Sequence, residues 1–325
     1  QIIIDLEELG LPKGDEKGEI VKHSAMVISY NEKHEQANWV THIVTPDVTK
    51  GNFTRTNDFR IDSKVSTGTA IEKDYFLKYL QEDGEYEYDG FGYDRGHLAP
   101  SADFRWSKKA LSESYFYSNM SPQLPELNRD IWASMENVIR EYVSRNKNQV
   151  YVVTGGVLND NLPVIERSEN KVTIPEKYYK VVLDKENKTG IGFIIPNKKS
   201  DKPLFLYAIS IDSVEKVTGF DFFPNLESSL EDQIESKTEK NKWRPEKQKG
   251  NVSPLSYKEM PKGAYNTADA SKMINSVEEV NICGTVVSTY HSAKGNTFIN
   301  LDSKWPNQVF SISIVIHLIS IIINI

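Results

Sequence analysis

The 325-residue chain has a single cysteine, Cys283, so no disulfide can form within it, and cysteine usage neither indicates nor excludes an oxidising compartment. It also lacks an excess of positive charge: 39 Lys and Arg against 46 Asp and Glu leave a formal charge of −7. That balance excludes a protein that coats nucleic acid by bulk electrostatics, which draws on clustered cations, so any nucleic-acid role must rest on a local site. No apolar run reaches the roughly 20 residues of a spanning helix. The aliphatic stretch Ile312–Ile325 falls short of that and reads as a terminal strand or a truncated end, so no membrane anchor is expected. Histidine is sparse, and His23, His34, His42, His291 and His317 show no metal-ligand spacing, which argues against zinc. What is present is an ordinary globular composition, 38% hydrophobic and 26% charged, long enough for one large domain and a small second one. The chain begins at Gln1 rather than Met, which fits a cleaved secretion signal or a trimmed fragment.

Between Ala25 and Thr45, two runs rich in β-branched and aromatic residues flank the polar Asn31–Gln36, the pattern of a hairpin. Pro46 to Gly92 has little periodicity beyond a short helical candidate over Ala70–Tyr79. Apolar spacing from Ile131 to Val143 predicts a helix over Arg129–Arg145. Strand-like runs follow at Val150–Thr154, Tyr178–Leu183, Ile191–Ile195 and Phe205–Ser210. Strands, a helix and more strands indicate an α+β domain. Lys237–Lys249 gathers six Lys and Arg around Glu239 and Glu246 and reads as a basic linker, with a solvated tether as the plainer reading. Val277–Ser311 alternates in a way that suits a small β-barrel. The organisation expected is a main domain over 1–236, a linker over 237–276 and a β segment with an apolar tail over 277–325.

Tyr93-Asp94-Arg95-Gly96-His97 packs an acid, a guanidinium, a glycine and an imidazole together at the end of the irregular region. Histidine is the usual general base near neutral pH and arginine clamps phosphate, so the pair suits attack of water on a phosphodiester; a hydrogen-bonded turn with an Asp94–Arg95 ion pair is the structural alternative. Asn128 and Glu136 each lie four positions from Trp132 and so share its helix stripe. A carboxylate facing inward needs a partner or a metal. The structural alternatives are an N-cap for Asn128 and a buried ion pair or a stripe-edge position for Glu136. The Gly155-Gly156 pair lacks a following Lys-Ser/Thr and is read as a strand-ending turn rather than a phosphate loop.

Asp94-Arg95-Gly96-His97, Ser118-Asn119-Met120-Ser121-Pro122-Gln123 and Leu127-Asn128 through Glu136 agree in order and spacing with a known family. Across roughly Ser24 to Lys237 the chain resembles the nonspecific DNA/RNA endonucleases of the ββα-metal class, to which endonuclease G and the secreted bacterial sugar-nonspecific nucleases belong. The resemblance implies a ββα-metal domain with a mostly antiparallel central sheet. It makes His97 the general base, Asn128 the lone protein ligand of Mg²⁺, with Mn²⁺ as a substitute, and Glu136 a holder of a metal-bound water. Arg95 and Arg55 match the arginines that stabilise charge on the phosphate, with Arg60 the competing position for the second. Asp94 is expected to orient the loop and Asn119 to brace it.

The expected reaction is cleavage of DNA and RNA without sequence preference, leaving 5′-phosphate ends, because phosphate contacts carry no sequence information. The family resemblance also implies secretion or periplasmic residence; nothing in the sequence identifies an inhibitor protein. Residues 277–325 are read as an OB-like nucleic-acid-binding extension, with Tyr290, Phe298, Trp305 and Phe310 as candidate stacking aromatics and plain core as the alternative for at least half of them. Two rival functions are a catalytically silent domain of this fold that only binds nucleic acid or a protein, and a phosphodiesterase acting on small nucleotides.

Overall fold

The computed structural model describes the chain apart from residues 16, 201, 246–249, 274–278, 293–295, 305–309 and 315–325. Two units are present, Gln1–Pro245 and Glu246–Ile325. Along the first run helix α1 (Ile2–Leu9), strands β1 (Glu19–Lys22), β2 (Met26–Asn31) and β3 (Gln36–Val44), the pair β4 (Phe76–Leu80) and β5 (Tyr86–Gly90), β6 (Asp94–His97), helix α2 (Lys108–Glu113) and β7 (Met120–Gln123). Then come α3 (Ala133–Asn146), β8 (Val150–Gly156), β9 (Lys177–Asp184), β10 (Thr189–Pro196), β11 (Ala208–Ile209), α4 (Ile211–Thr218), α5 (Ser228–Glu235) and α6 (Lys240–Trp243).

Seven of these strands form one wholly antiparallel sheet in the order β11-β10-β9-β8-β3-β2-β1. Both of its faces are covered, which is why β8 and β3 are buried along their whole length instead of alternating. Val40, Val44, Val150, Val152 and Val182 join α3 in one core layer through Trp132, Met135 and Ile139. Their strand neighbours Trp39, Ile43, Tyr151, Val153 and Val181 meet α1, α4 and α5 through Leu6, Leu9, Ile211, Val214 and Ile234 on the other face.

The expected hairpin is β2–β3, and the long apolar helix is α3, preceded by one π-helical turn over Leu127–Trp132. Two expectations are corrected. Ala70–Tyr79 is not helical beyond the 3-10 turn Glu72–Asp74, because Phe76–Leu80 pairs with Tyr86–Gly90 around a tight turn in which Gly84 takes φ 85°. Phe205–Ser210 is not a continuous strand either: a 3-10 turn over Leu204–Leu206 leaves only Ala208–Ile209 to pair with β10. Part of the stretch read as a linker belongs to the first unit, since Trp243 of α6 stacks on Tyr142 of α3 at 4.0 Å and Arg145 donates to the carbonyls of Lys242 and Arg244.

In the second unit, β12 (Tyr265–Asn266) runs parallel to β13 (Ile282–Cys283), and β14 (Val286–His291), β15 (Thr297–Leu301) and β16 (Phe310–Ile314) form an antiparallel meander. Among the described residues these three strands do not close into a barrel. Tyr290 is exposed and stacks on Phe298 at 6.3 Å, Phe310 is half-buried, and Trp305 and His317 lie outside the described residues. Among the described residues no helix is long and apolar enough to cross a membrane.

Candidate active site

Beside the main sheet, β6 and β7 pair antiparallel, setting Asp94 opposite Gln123 and His97 opposite Met120. Alternation along β6 sends Arg95 and His97 to one side and Asp94 to the other. Gly96 between them admits no side chain, because a Cβ there would lie 2.3 Å from Gln123 Oε1. The backbone after His97 is held by Asn119, whose Oδ1 accepts from the Ala99 N–H at 2.9 Å while its Nδ2 donates to the carbonyls of Ala99 and Ser114. The chain then delivers the π turn and α3 against this pair of strands.

Arg95, His97, Asn128 and Glu136 meet Arg55 in the wall of one cavity of about 640 Å³. Arg105, Arg129 and Arg140 line it as well, so five arginines and one glutamate surround a single space. A chain with a net charge of −7 thus gathers arginines at one site, although Arg129 is paired with Asp94 and Arg140 with Asp103. Arg60 does not line this cavity; its guanidinium donates to Asp58 and to the Ser112 carbonyl and lies over the Phe116 ring.

His97 packs edge-on with Phe59 and Tyr115, and its Nε2 is buried without a hydrogen-bond partner. Desolvation, with Arg55 and Arg95 adding repulsion, holds its pKa down to about 3, so the imidazole is neutral at ordinary pH and free to accept a proton. Arg95 is positioned by stacking, its guanidinium carbon 3.7 Å from the Phe59 ring centre and 5.0 Å from that of Phe76.

Asn128 is not an N-cap: it lies inside the π turn, and its Nδ2 donates to Asp94 Oδ2 at 2.8 Å. Such π turns recur at functional sites. The donation fixes the amide and leaves Oδ1 as its acceptor. Asp94 is held in turn by a two-pronged contact from Arg129, at 2.8 and 2.6 Å, rather than by its neighbour Arg95. Burial alone would raise the Asp94 carboxyl, but the hydrogen bonds from Arg129 and Asn128 outweigh it and keep the group ionised.

Glu136 faces the edge between core and cavity. Burial pushes its carboxyl up, against the pull of Arg140 and Lys180. Arg140 Nη2 is 4.0 Å from Glu136 Oε2, and its Nη1 donates to Asp103 at 2.8 Å. Asp103 also holds His42 at 3.0 Å, and Lys180 donates to Thr154 Oγ1 at 2.6 Å and to the Leu98 carbonyl, above the Trp132 ring. This buried network supports the cavity floor. Of the remaining histidines, His23 pairs with Asp62 and His34 with Thr173, both away from the cavity.

Sequence reasoning missed Arg105, Arg129 and Arg140. Arg140 carried a signal, since it stands four residues after Glu136 on a helix whose Glu136 needed a partner. Arg129 adjoins Asn128, but its partner Asp94 is 35 positions away.

A family model for DNA/RNA non-specific endonucleases matches residues 8–229. The chain belongs to that family. It is a hydrolytic nuclease of a metal-dependent type, and its substrates are nucleic acids. Among the similar members, a nuclease from a Nostoc species is 32% identical over 224 residues, 65% of this chain and 76% of that protein. Bovine mitochondrial endonuclease G is 29% identical over 243 residues, 67% of this chain and 77% of its own length. A solved structure titled as a complex of EndoG with EndoGI superposes with a TM-score of 0.59 at 26% identity, covering 73% of this chain and 97% of the other. The match to the family model ends before the second unit begins.

Proposed function

We propose that the chain is an endonuclease that hydrolyses phosphodiester bonds of DNA and RNA without sequence preference and leaves 5′-phosphate ends, with His97 as general base and Mg²⁺ on Asn128. The observation that carries this reading is a neutral, half-buried imidazole in the wall of a cavity shared with five arginines and one oriented asparagine amide.

The residues present fit a hard divalent ion. The fixed Asn128 offers an amide oxygen, and Glu136 adds a carboxylate to the same cavity wall. Mg²⁺ sheds its waters reluctantly, so Asn128 Oδ1 would suffice as the protein ligand that holds it, with Glu136 as an outer partner. Bound there, the ion supplies positive charge at the scissile phosphate. Mn²⁺ is the expected substitute.

His97 takes one proton from a water as its oxygen bonds to phosphorus, the P–O3′ bond breaks, and the 3′ oxygen leaves with a proton from solvent. Arg95, rigid on Phe59, and Arg55 stabilise the negative charge on the phosphoryl oxygens. Arg95 and His97 come from β6, which pairs with β7, and Asn128 and Glu136 from the π turn and α3, an arrangement that supports the ββα-metal assignment. Arginine contacts to phosphate carry no sequence information, which supports cleavage without sequence preference. The exposed Tyr290 supports the second unit as an appendage on which bases stack.

The test is digestion of supercoiled plasmid and of a structured RNA by the full chain, with Mg²⁺ and with EDTA. Both substrates are expected to be lost only with the metal, and His97→Ala to slow cleavage by about 10²–10⁴-fold, the range of a general base. Intact polymers under every divalent metal would leave a binding domain as the reading. Preferential cleavage of dinucleotides would favour a small-substrate phosphodiesterase.

A further inference from the structure

On the sheet face opposite the cavity, α4 and α5 bring three carboxylates together. Asp212 and Glu215 lie three positions apart on α4, and Glu235 ends α5; each offers an oxygen, and these oxygens lie within 4.8 Å of one another. Oxygens sharing a Ca²⁺ at about 2.3–2.6 Å can stand no farther apart than about that distance. Glu235 is 2% exposed, and its Oε1 is buried without a hydrogen-bond partner. It also occupies the last turn of its helix, where the backbone dipole disfavours negative charge.

Nothing nearby neutralises the group. Among the described residues no Lys, Arg or His forms an ion pair with Asp212, Glu215 or Glu235, while Asp221, Glu231 and Asp232 add further negative charge around them. The Phe222 N–H donates to Glu215 Oε1 at 2.9 Å and so fixes that side chain in place. A buried carboxylate is costly unless it is protonated or neutralised by a cation, and the unpartnered Oε1 beside two further carboxyl groups offers a cation the place that a proton would otherwise take.

We propose that Asp212, Glu215 and Glu235 form a structural cation site for Ca²⁺, separate from the nuclease cavity. The all-carboxylate oxygen set selects a hard cation over zinc or copper, and its spread across two helices suits the flexible coordination of Ca²⁺ better than the strict octahedron of Mg²⁺. Asp212 is exposed, so water reaches the remaining positions. The ion ties α4 to α5 across the face that also carries α1.

The experiment is calorimetric titration of the EDTA-stripped full chain with CaCl₂, together with thermal unfolding with and without the ion. The titrations are run on the wild-type chain, Asn128→Ala, Asp212→Asn and Glu235→Gln. One Ca²⁺ is expected to bind the wild type and Asn128→Ala with equal affinity and to raise the melting temperature by several degrees when in excess. Asp212→Asn, an exposed substitution that leaves the fold intact, is expected to weaken binding at least about tenfold, and Glu235→Gln to abolish it. Absence of a calcium heat or melting shift at millimolar CaCl₂ would overturn the proposal. Binding that disappears in Asn128→Ala but persists in Asp212→Asn would overturn it too, by assigning the ion to the nuclease cavity.

Discussion

On one face of the seven-stranded sheet Glu136 of α3 sits 4.0 Å from Arg140, with Lys180 and Arg55 contributing further positive charge. On the other, Glu235 of α5 faces Glu215 and Asp212, and the described residues form no ion pair with it. Both carboxylates are removed from water, and burial pushes both upward. The difference lies in compensation: the cavity face brings its own cations, whereas on the α4–α5 face the described residues bring none. The same residue type, equally legible as a glutamate in a helix, therefore meets arginine and lysine in one place and only further acids in the other. What separates them is the sign of the charges that the fold carries in from distant positions.

The largest way to break the comparison is to strip the compensation from the cavity face. Arg140→Met leaves Asp103 and Glu136 without their shared guanidinium, and the loss of one partner from a buried ion pair costs about 3–5 kcal/mol. Urea unfolding measures it; a loss near zero would mean that Lys180 and His42 hold both acids unaided. Next in size is a contrast between two arginines close in sequence. Arg55 lines the cavity and Arg60 is committed to Asp58 and the Ser112 carbonyl, so Arg55→Ala is expected to lower kcat/KM by about 10²–10³-fold, the range for losing one charge-stabilising donor. Arg60→Ala is expected to reduce stability and leave kcat/KM within a few-fold. The reverse pattern would move the second phosphate arginine to position 60.

How far the sequence anticipates these sites follows from chain distance. The β2–β3 hairpin, strands β8 to β10 and α3 are legible because apolar periodicity is a local signal. His97 and Arg95 are legible because they adjoin in one short motif, and Asn128 and Glu136 because a helix stripe places polar groups inward. The arginine ring is not: positions 55, 95, 105, 129 and 140 become a cluster only after β6, the π turn and α3 pack together, and the chain-wide charge points the opposite way. The segment 70–79 misleads for a related reason. Its aromatic residues find their partners across Gly84 in β5, and the alternation of Tyr86 and Tyr88 next to an Asp-Gly turn is the cue that favours a hairpin over a helix. Lys180, buried in β9, reads as a surface residue until Thr154 and the Leu98 carbonyl meet it.

Proton titration sharpens the contrast without unfolding anything. Desolvation and the nearby arginines hold His97 down to about 3, so its imidazole should remain neutral as the pH falls from 7 to 4, and NMR of ring-labelled histidine should show no titration in that window. Arg55→Ala removes one of the charges that lower it, and the His97 midpoint should then rise. An acid limb of kcat/KM near neutrality would accordingly belong to Glu136, whose carboxyl burial pushes up, and Glu136→Gln should move that limb to lower pH. A His97 midpoint near 6.5 in the wild type would mean that the cavity is far wetter than its packing indicates.

On the other face the expected effect has a sign opposite to that of Arg140→Met. With EDTA present, the Glu235 carboxyl has a folded pKa of about 9, above its ordinary value of 4.5. Between those values the unfolded chain gives up the proton and the folded chain keeps it, so the wild type loses stability as pH rises from 4.5 towards 9. Glu235→Gln removes that penalty. The variant should match the wild type near pH 4.5 and become progressively more stable than it towards pH 9. Saturating Ca²⁺ should reverse the ranking, because only the wild type gains the bound ion. A variant that is less stable than the wild type in EDTA at every pH would show that Glu235 is already compensated without a cation, and the two faces would then differ only in degree.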